Sequence, residues 1–196
     1  MATSGAELWL LRHGATEWAR NGRHTGRTDL PLLPEGEQEA RALAPALAGI
    51  AFDAVLVSPL QRARRTCELA GLGAAAQICD DLREWDYGDY EGITTAQIRA
   101  QQPDWLLWRD GCPGGEVAAQ VQQRCQRVIE RALVAAGPSP RVALIAHGHI
   151  LRALAGTWLG LGASGGGLLT LGTATVSVLG YEREQRVLLR WNSPVA

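Results

Sequence analysis

Arginine and histidine stand side by side at positions 12 and 13, at the end of the apolar run ELWLLR, and glycine follows at once. Burying such charge is costly, so a pair of this kind at a strand tip is either turned to solvent or aimed at an anion. Two further segments end in the same way. DAVLVS closes on Ser58, with Arg62 one helical turn beyond, and RVALIAH closes on His147, followed by Gly148 and His149. Arginine suits phosphate because its planar fork makes bidentate, charge-assisted hydrogen bonds. A neutral imidazole, with a reference pKa of about 6.5, is a nucleophile toward phosphorus when cations neutralise the oxygens of the transferring group. Such chemistry also needs an acid for the leaving alkoxide. Glu84, in the polar stretch DDLREWDYGDYEG, is the natural candidate, with Asp86, Asp80 and Asp81 as competitors.

The elements that must position these groups follow from hydrophobic pattern. Strands are expected over 7–12, 53–58, 141–147 and, more weakly, in AAQIC. Amphipathic helices are expected over 34–50, where Pro and acidic residues open the segment, after Pro59, over 116–137 and in ILRALAGTWLG. Residues 80–92 read as a structured loop, TTAQIRAQQPDWLLWRDG as two short helices broken at Pro103, and GLGASGGGLL as a glycine-rich loop. Two last strands are expected in TATVSVLGYE and RVLLRW. Alternating strands and helices imply an α/β fold, a three-layer α/β/α sandwich around a mainly parallel sheet. Ligands bind such sheets beyond the carboxyl ends of the strands, which is where the arginines and histidines fall. The expected organisation is one domain over 1–196 with a small helical cap inserted at about 93–115.

Composition removes several other functions. All 19 positive side chains are arginine, against 20 acidic ones, a net charge of -1. A genome rich in Ala, Arg and Gly codons accounts for that, and the absence of lysine excludes both a Schiff-base lysine and a P-loop. No basic tract suggests nucleic acid, and no apolar run approaches the roughly 20 residues of a membrane span. The opening MATSGAELW lacks the features of a secretory signal. Four cysteines without CxxC spacing read as reduced thiols, so the expected location is cytoplasmic. His147 and His149 are poor metal ligands, because alternate residues of an extended segment face opposite ways; no metal and no cofactor is expected. Trp105 and Trp108 read as packing residues, Arg64 and Arg65 as a solvated helix face, and Glu91 as a structural residue in a turn.

The stretches LRHGATEW, GRHTGRTDLPL, SPLQRARRT, LREWDYGDYEG and AHGH together resemble the histidine phosphatase superfamily, the phosphoglycerate-mutase-like group, over about residues 7–155. The resemblance implies a phosphohistidine intermediate and no metal. It implies that His13 is the nucleophile, that Arg12, Arg62 and His147 form the phosphate pocket, that Glu84 is the proton donor, and that Thr25 and Gly26 line the pocket. Gly148 belongs to the same substrate-binding set. Many members carry Asn after the motif's Trp; here Ala19 follows Trp18, which removes a polar contact.

Within that family LREWDYGDYEG, WRDGCPGGE and AHGHILR are similar to bacterial acid phosphatases and to sedoheptulose-bisphosphatase-like members, which implies substrate contacts at Tyr87 and Arg152. A mutase must hold a glycerate carboxylate with extra cations, yet Trp85 and Asp86 follow Glu84 and the cap holds few basic residues. The expected activity is therefore hydrolysis of a small phosphorylated metabolite, a sugar phosphate by preference. Trp85, Asp86, Tyr87, Trp105 and Arg109 are expected at the rim, and Arg152 within reach of a second phosphate. The alternatives are a cofactor-dependent phosphoglycerate mutase and a non-catalytic phosphate-binding module. A homodimer is left open.

Overall fold

The computed structural model describes residues 5–134 and 139–195. These form a six-stranded sheet in the order β3-β2-β4-β1-β5-β6. Its strands are β1 (Glu7–Arg12), β2 (Ala54–Val57), β3 (Ala76–Ile78), β4 (Arg141–Ala146), β5 (Thr175–Glu182) and β6 (Gln185–Pro194). β1 to β4 pair in parallel, and β5 and β6 continue the sheet antiparallel at one edge. The helices are α1 (Glu17–Asn21), α2 (Pro34–Leu47), α3 (Gln61–Leu69), α4 (Thr95–Gln101), α5 (Leu107–Asp110), α6 (Ala118–Leu133) and α7 (Gly148–Trp158). The far end of the helix expected over 116–137 lies outside the described residues.

Strand alternation divides the side chains between two cores. Leu8, Leu10, Val142, Leu144 and Ala146 face one, packed with α6, α7 and the aromatic residues of 85–112. Leu11, Ala143 and Ile145 face the other, with Val55 and Val57 of β2 and Leu43, Leu47, Ala63 and Cys67 of α2 and α3. A sheet covered on both faces explains why β1 and β4 read as near-continuous apolar runs. It also sets the ends of β2, β4 and β1 side by side. Arg12 is in register with Ala146, and the N–H groups of His13 and Ser58 donate to the carbonyls of Ala146 and Ile145, each at 3.0 Å.

Two segments depart from the sequence reading. α1 was not anticipated; five residues long, it is nucleated by Thr16, whose hydroxyl accepts from the N–H of Ala19. The glycine-rich segment is an ordered 3-10 turn, Ala163–Leu168, not an open loop. A Cβ on Gly166 would lie 2.7 Å from the ring of Trp108 and 2.7 Å from the backbone of Arg152, so the glycines allow a close approach between this turn, α7 and the cap. The segment expected as a cap holds α4 and α5, with the α4 start fixed by reciprocal bonds between Thr94 and Gln97. The indole of Trp105 donates to the Gly111 carbonyl and closes the turn after α5.

Candidate active site

The tip of β1 turns sharply because Gly14 meets Gly36: a Cβ on Gly14 would lie 2.1 Å from the Gly36 carbonyl oxygen. The Gly14 N–H donates to Thr66 Oγ1 on α3, which fixes the turn that presents His13. His13 is 5% exposed. Its Nδ1 lies 2.7 Å from the Gly14 carbonyl oxygen, so Nδ1 carries the proton and Nε2 keeps the free lone pair. Burial, reinforced by the charges of Arg62 and Arg12, holds its pKa well below the ordinary imidazole value. The ring is therefore neutral and nucleophilic at neutral pH.

His147 follows β4 directly and its ring stands edge-on to that of His13, centroids 5.1 Å apart. Arg62 Nε donates to His147 Nδ1 at 3.1 Å, so Nδ1 is the acceptor, and Nε2 donates to Ser58 Oγ at 2.7 Å. The rest of the Arg62 guanidinium donates to the carbonyls of Thr25, Gly26 and Thr28, at 3.0, 3.3 and 2.9 Å. The same loop is gripped from its N–H side by Glu91, which accepts from Gly26 and Thr28. Arg62 and His147 are both fully buried, and burial lowers the pKa of each.

Arg12 reaches the Leu171 carbonyl with Nη1, yet its Nε is buried with no partner, the one such side-chain atom among the described residues. An orphaned guanidinium donor is expensive unless an acceptor arrives from outside. Gly148 lies against this guanidinium; a Cβ there would be 3.4 Å from Arg12 Cζ. Glu84 completes the group. Its carboxylate accepts from the N–H groups of Trp85, His149 and Ile150, at 2.9, 3.0 and 2.8 Å, and so sits on the amino end of α7. The Glu84 loop is held by Arg124, which donates to the carbonyls of Asp81, Arg83 and Glu84 and pairs with Glu116 at 2.7 Å.

These groups adjoin a cavity of about 300 Å³. Arg12, His13, Thr25, Glu84, Tyr87, Gly148 and Arg152 line it, as do Ala19 and Trp105. Arg62, His147 and Gly26 do not; they stand behind it, the first two steering the floor and Gly26 contributing its carbonyl to Arg62. Three residues expected at the rim are elsewhere. Trp85 is fully buried, with its indole donating to the Glu116 carbonyl. Asp86 pairs with Arg27 at 2.6 Å beside a second cavity, and Arg109 pairs with Asp110 at the surface. Trp18, Arg23, Arg99, Trp108, His24 and His149 line the first cavity instead. Histidine scarcity was the available signal: the chain has four, and all four gather here. Arg152 stacks on Trp108, Cζ 4.8 Å from the ring centroid, and donates to the Gly166 carbonyl. Among the described residues no three His, Cys, Asp or Glu side chains cluster as metal ligands, and no helix is long and apolar enough to cross a membrane.

A guanidinium, a neutral imidazole with a free lone pair and a carboxylate on a helix amino terminus are the groups that phosphoryl transfer requires. The chain belongs to the histidine phosphatase superfamily (branch 1), which it matches over residues 8–194, and phosphomonoester hydrolysis is supported for that superfamily by its phosphatase relatives. An acid phosphatase of Mycobacterium tuberculosis is 40% identical over 190 residues, 96% of this chain and 93% of that protein. A sedoheptulose 1,7-bisphosphatase of Saccharomyces cerevisiae is 36% identical over 182 residues, 78% of this chain and 67% of that protein. The solved structure of an open reading frame product of Mycobacterium tuberculosis superposes with a TM-score of 0.92 at 38% identity, covering 97% of this chain and 99% of that one. This chain is a phosphatase of that superfamily.

Proposed function

We propose that the chain hydrolyses sugar phosphates, or comparable small phosphorylated metabolites, through a phosphohistidine at His13. The observation that carries this reading is the neutral ring of His13, its Nε2 lone pair free, beside the Arg12 guanidinium in the cavity wall. A phosphoryl oxygen held by the Arg12 guanidinium would bring phosphorus to the free Nε2 of His13. Attack by Nε2 forms the P–N bond as the P–O bond to the alcohol breaks, and the leaving oxygen takes a proton from the Glu84 carboxyl group. The Glu84 carboxylate then takes a proton from water, whose oxygen attacks phosphorus; the P–N bond breaks, and phosphate and neutral His13 are regenerated. Arg62 and His147, buried behind the reacting atoms, act by position and charge.

The preference for sugar phosphates draws support from the relative named for sedoheptulose 1,7-bisphosphate, and from polar groups on the cavity wall. Asp86 takes no part in this preference, because it is paired with Arg27 outside this cavity. Four buried cysteines, all unpaired, suit a reducing compartment such as the cytoplasm. Rapid quenching with phosphorus-labelled sugar phosphate tests the central claim. The expected product is an acid-labile, base-stable phosphoenzyme, absent in His13→Ala; label on another residue overturns the assignment.

A further inference from the structure

Two imidazoles in the cavity wall take no part in the chemistry above. His24 and His149 both line the cavity, and their rings are nearly parallel, 20° apart with centroids separated by 6.2 Å. Each has one nitrogen fixed to protein. His24 Nδ1 lies 2.8 Å from the Ile93 carbonyl oxygen. A carbonyl only accepts, so Nδ1 carries the proton and, in the neutral ring, Nε2 is an acceptor. His149 Nδ1 lies 2.7 Å from the phenol oxygen of Tyr87. Among the described residues His149 Nδ1 is the one hydrogen-bond partner of that phenol, and a phenol O–H is a stronger donor than an imidazole N–H. The phenol therefore donates to Nδ1, and the proton of the neutral His149 ring sits on Nε2. Burial keeps both rings below the ordinary imidazole pKa, and hence neutral at pH 7.

Neither Nε2 bonds to the described residues, and neither is sealed off, since Arg12 Nε is the one buried side-chain polar atom there without a partner. Both therefore open onto the cavity, one as an acceptor and the other as a donor. We propose that His24 and His149 read hydroxyl groups on the alcohol portion of the substrate. A hydroxyl both donates and accepts, so it satisfies either ring. An anionic group would face the His24 lone pair, and an alkyl chain would leave both nitrogens unpaired. Near-parallel rings separated by 6.2 Å address two positions, which fits a chain carrying hydroxyls on more than one carbon. The pair thus selects polyhydroxylated phosphomonoesters over plain alkyl ones, and Tyr87 is a positioning residue that sets the His149 tautomer. This deepens the hydrolase reading and rests on it.

The test is the ratio of kcat/KM for sorbitol 6-phosphate to that for hexyl phosphate, two esters of primary alcohols. Measured on one preparation, the ratio is independent of the fraction of active enzyme. His24→Asn and His149→Asn retain a polar atom near the Nδ1 position, toward Ile93 and Tyr87, and delete Nε2. Each is expected to lower the ratio about tenfold, the worth of one neutral hydrogen bond. His24→Gln, whose amide lies nearer the Nε2 position, is expected to restore part of it. A merely structural role would lower both substrates together, and an unchanged ratio in both Asn variants overturns the proposal while leaving the hydrolase reading intact. A wild-type enzyme that favours hexyl phosphate overturns the polyhydroxyl selection itself, and one that hydrolyses neither ester overturns the hydrolase reading beneath it.

Discussion

Behind the floor of the cavity Arg62 is fully buried and spends its guanidinium on His147 and three backbone carbonyls, whereas at the rim Arg23 is exposed and lies 6.0 Å from the ring centroid of Trp18. The same residue type is used in opposite ways. The floor is over-determined: Glu91 clamps the loop that clamps Arg62, Thr66 ties Gly14 to α3, and Ser58 fixes the far nitrogen of His147. Such preorganisation stabilises charge that develops during reaction without rearrangement at that moment. The rim rests on ring faces and single bonds, as with Arg99 on the Trp105 carbonyl. Floor residues should then govern turnover for every phosphomonoester, and rim and wall residues should govern which ester is preferred.

The sharpest way to break this division is to remove the buried charge. Arg62→Met should lower kcat about a thousandfold on sugar, alkyl and aryl phosphates alike, the scale of one lost electrostatic stabiliser. It should also cost about 3 kcal/mol in urea unfolding, because three carbonyls and His147 Nδ1 lose their donor. A loss confined to one substrate class would place Arg62 with the rim. Glu84→Gln comes next. It should cost about a hundredfold on alkyl phosphates, whose leaving oxygen needs a proton, and far less on p-nitrophenyl phosphate. Equal losses on both would remove Glu84 from the role of acid.

The floor was legible in the sequence because it hangs on strand ends. Apolar runs that stop at Arg12-His13, Ser58 and His147 define adjacent parallel strands, and pairing in register puts those residues together whatever the loops do. The rim was not. Trp85 and Asp86 sit beside Glu84 in sequence, but burial of the indole and the pair with Arg27 carry them away from the cavity. Arg109 is lost to Asp110 in the same helix. Trp18 and Arg23 arrive through the short helix α1 and its following turn, and Trp108 through the close glycine packing of 163–168, neither of which leaves a periodic signature. His24 and His149 fall between these cases. Their type was conspicuous, but their tautomers depend on Ile93 and Tyr87, contacts 69 and 62 residues away in the chain.

The smallest change expected of a single variant is in stability instead of rate, and it joins the floor to the wall. Burial, first among the causes, holds His13 and His147 of the floor and His149 of the wall well below the ordinary imidazole pKa. In the unfolded chain these rings titrate near their reference value of about 6.5. Below that pH the unfolded state binds protons that the folded state refuses, so folding stability is full above about pH 6.5 and falls as pH drops beneath it. Each ring contributes up to about 1.4 kcal/mol per pH unit in that window. Between pH 7.5 and 5.5 the carboxylates with lowered pKa, Glu7 among them, stay ionised in both states and add nothing to the slope. Urea midpoints measured across this range should therefore fall with acidity, and His149→Asn should remove roughly one ring's share of the slope. A stability that holds level from pH 7.5 to 5.5 would mean that the floor accepts protons in place, and that its histidines are not held neutral by burial.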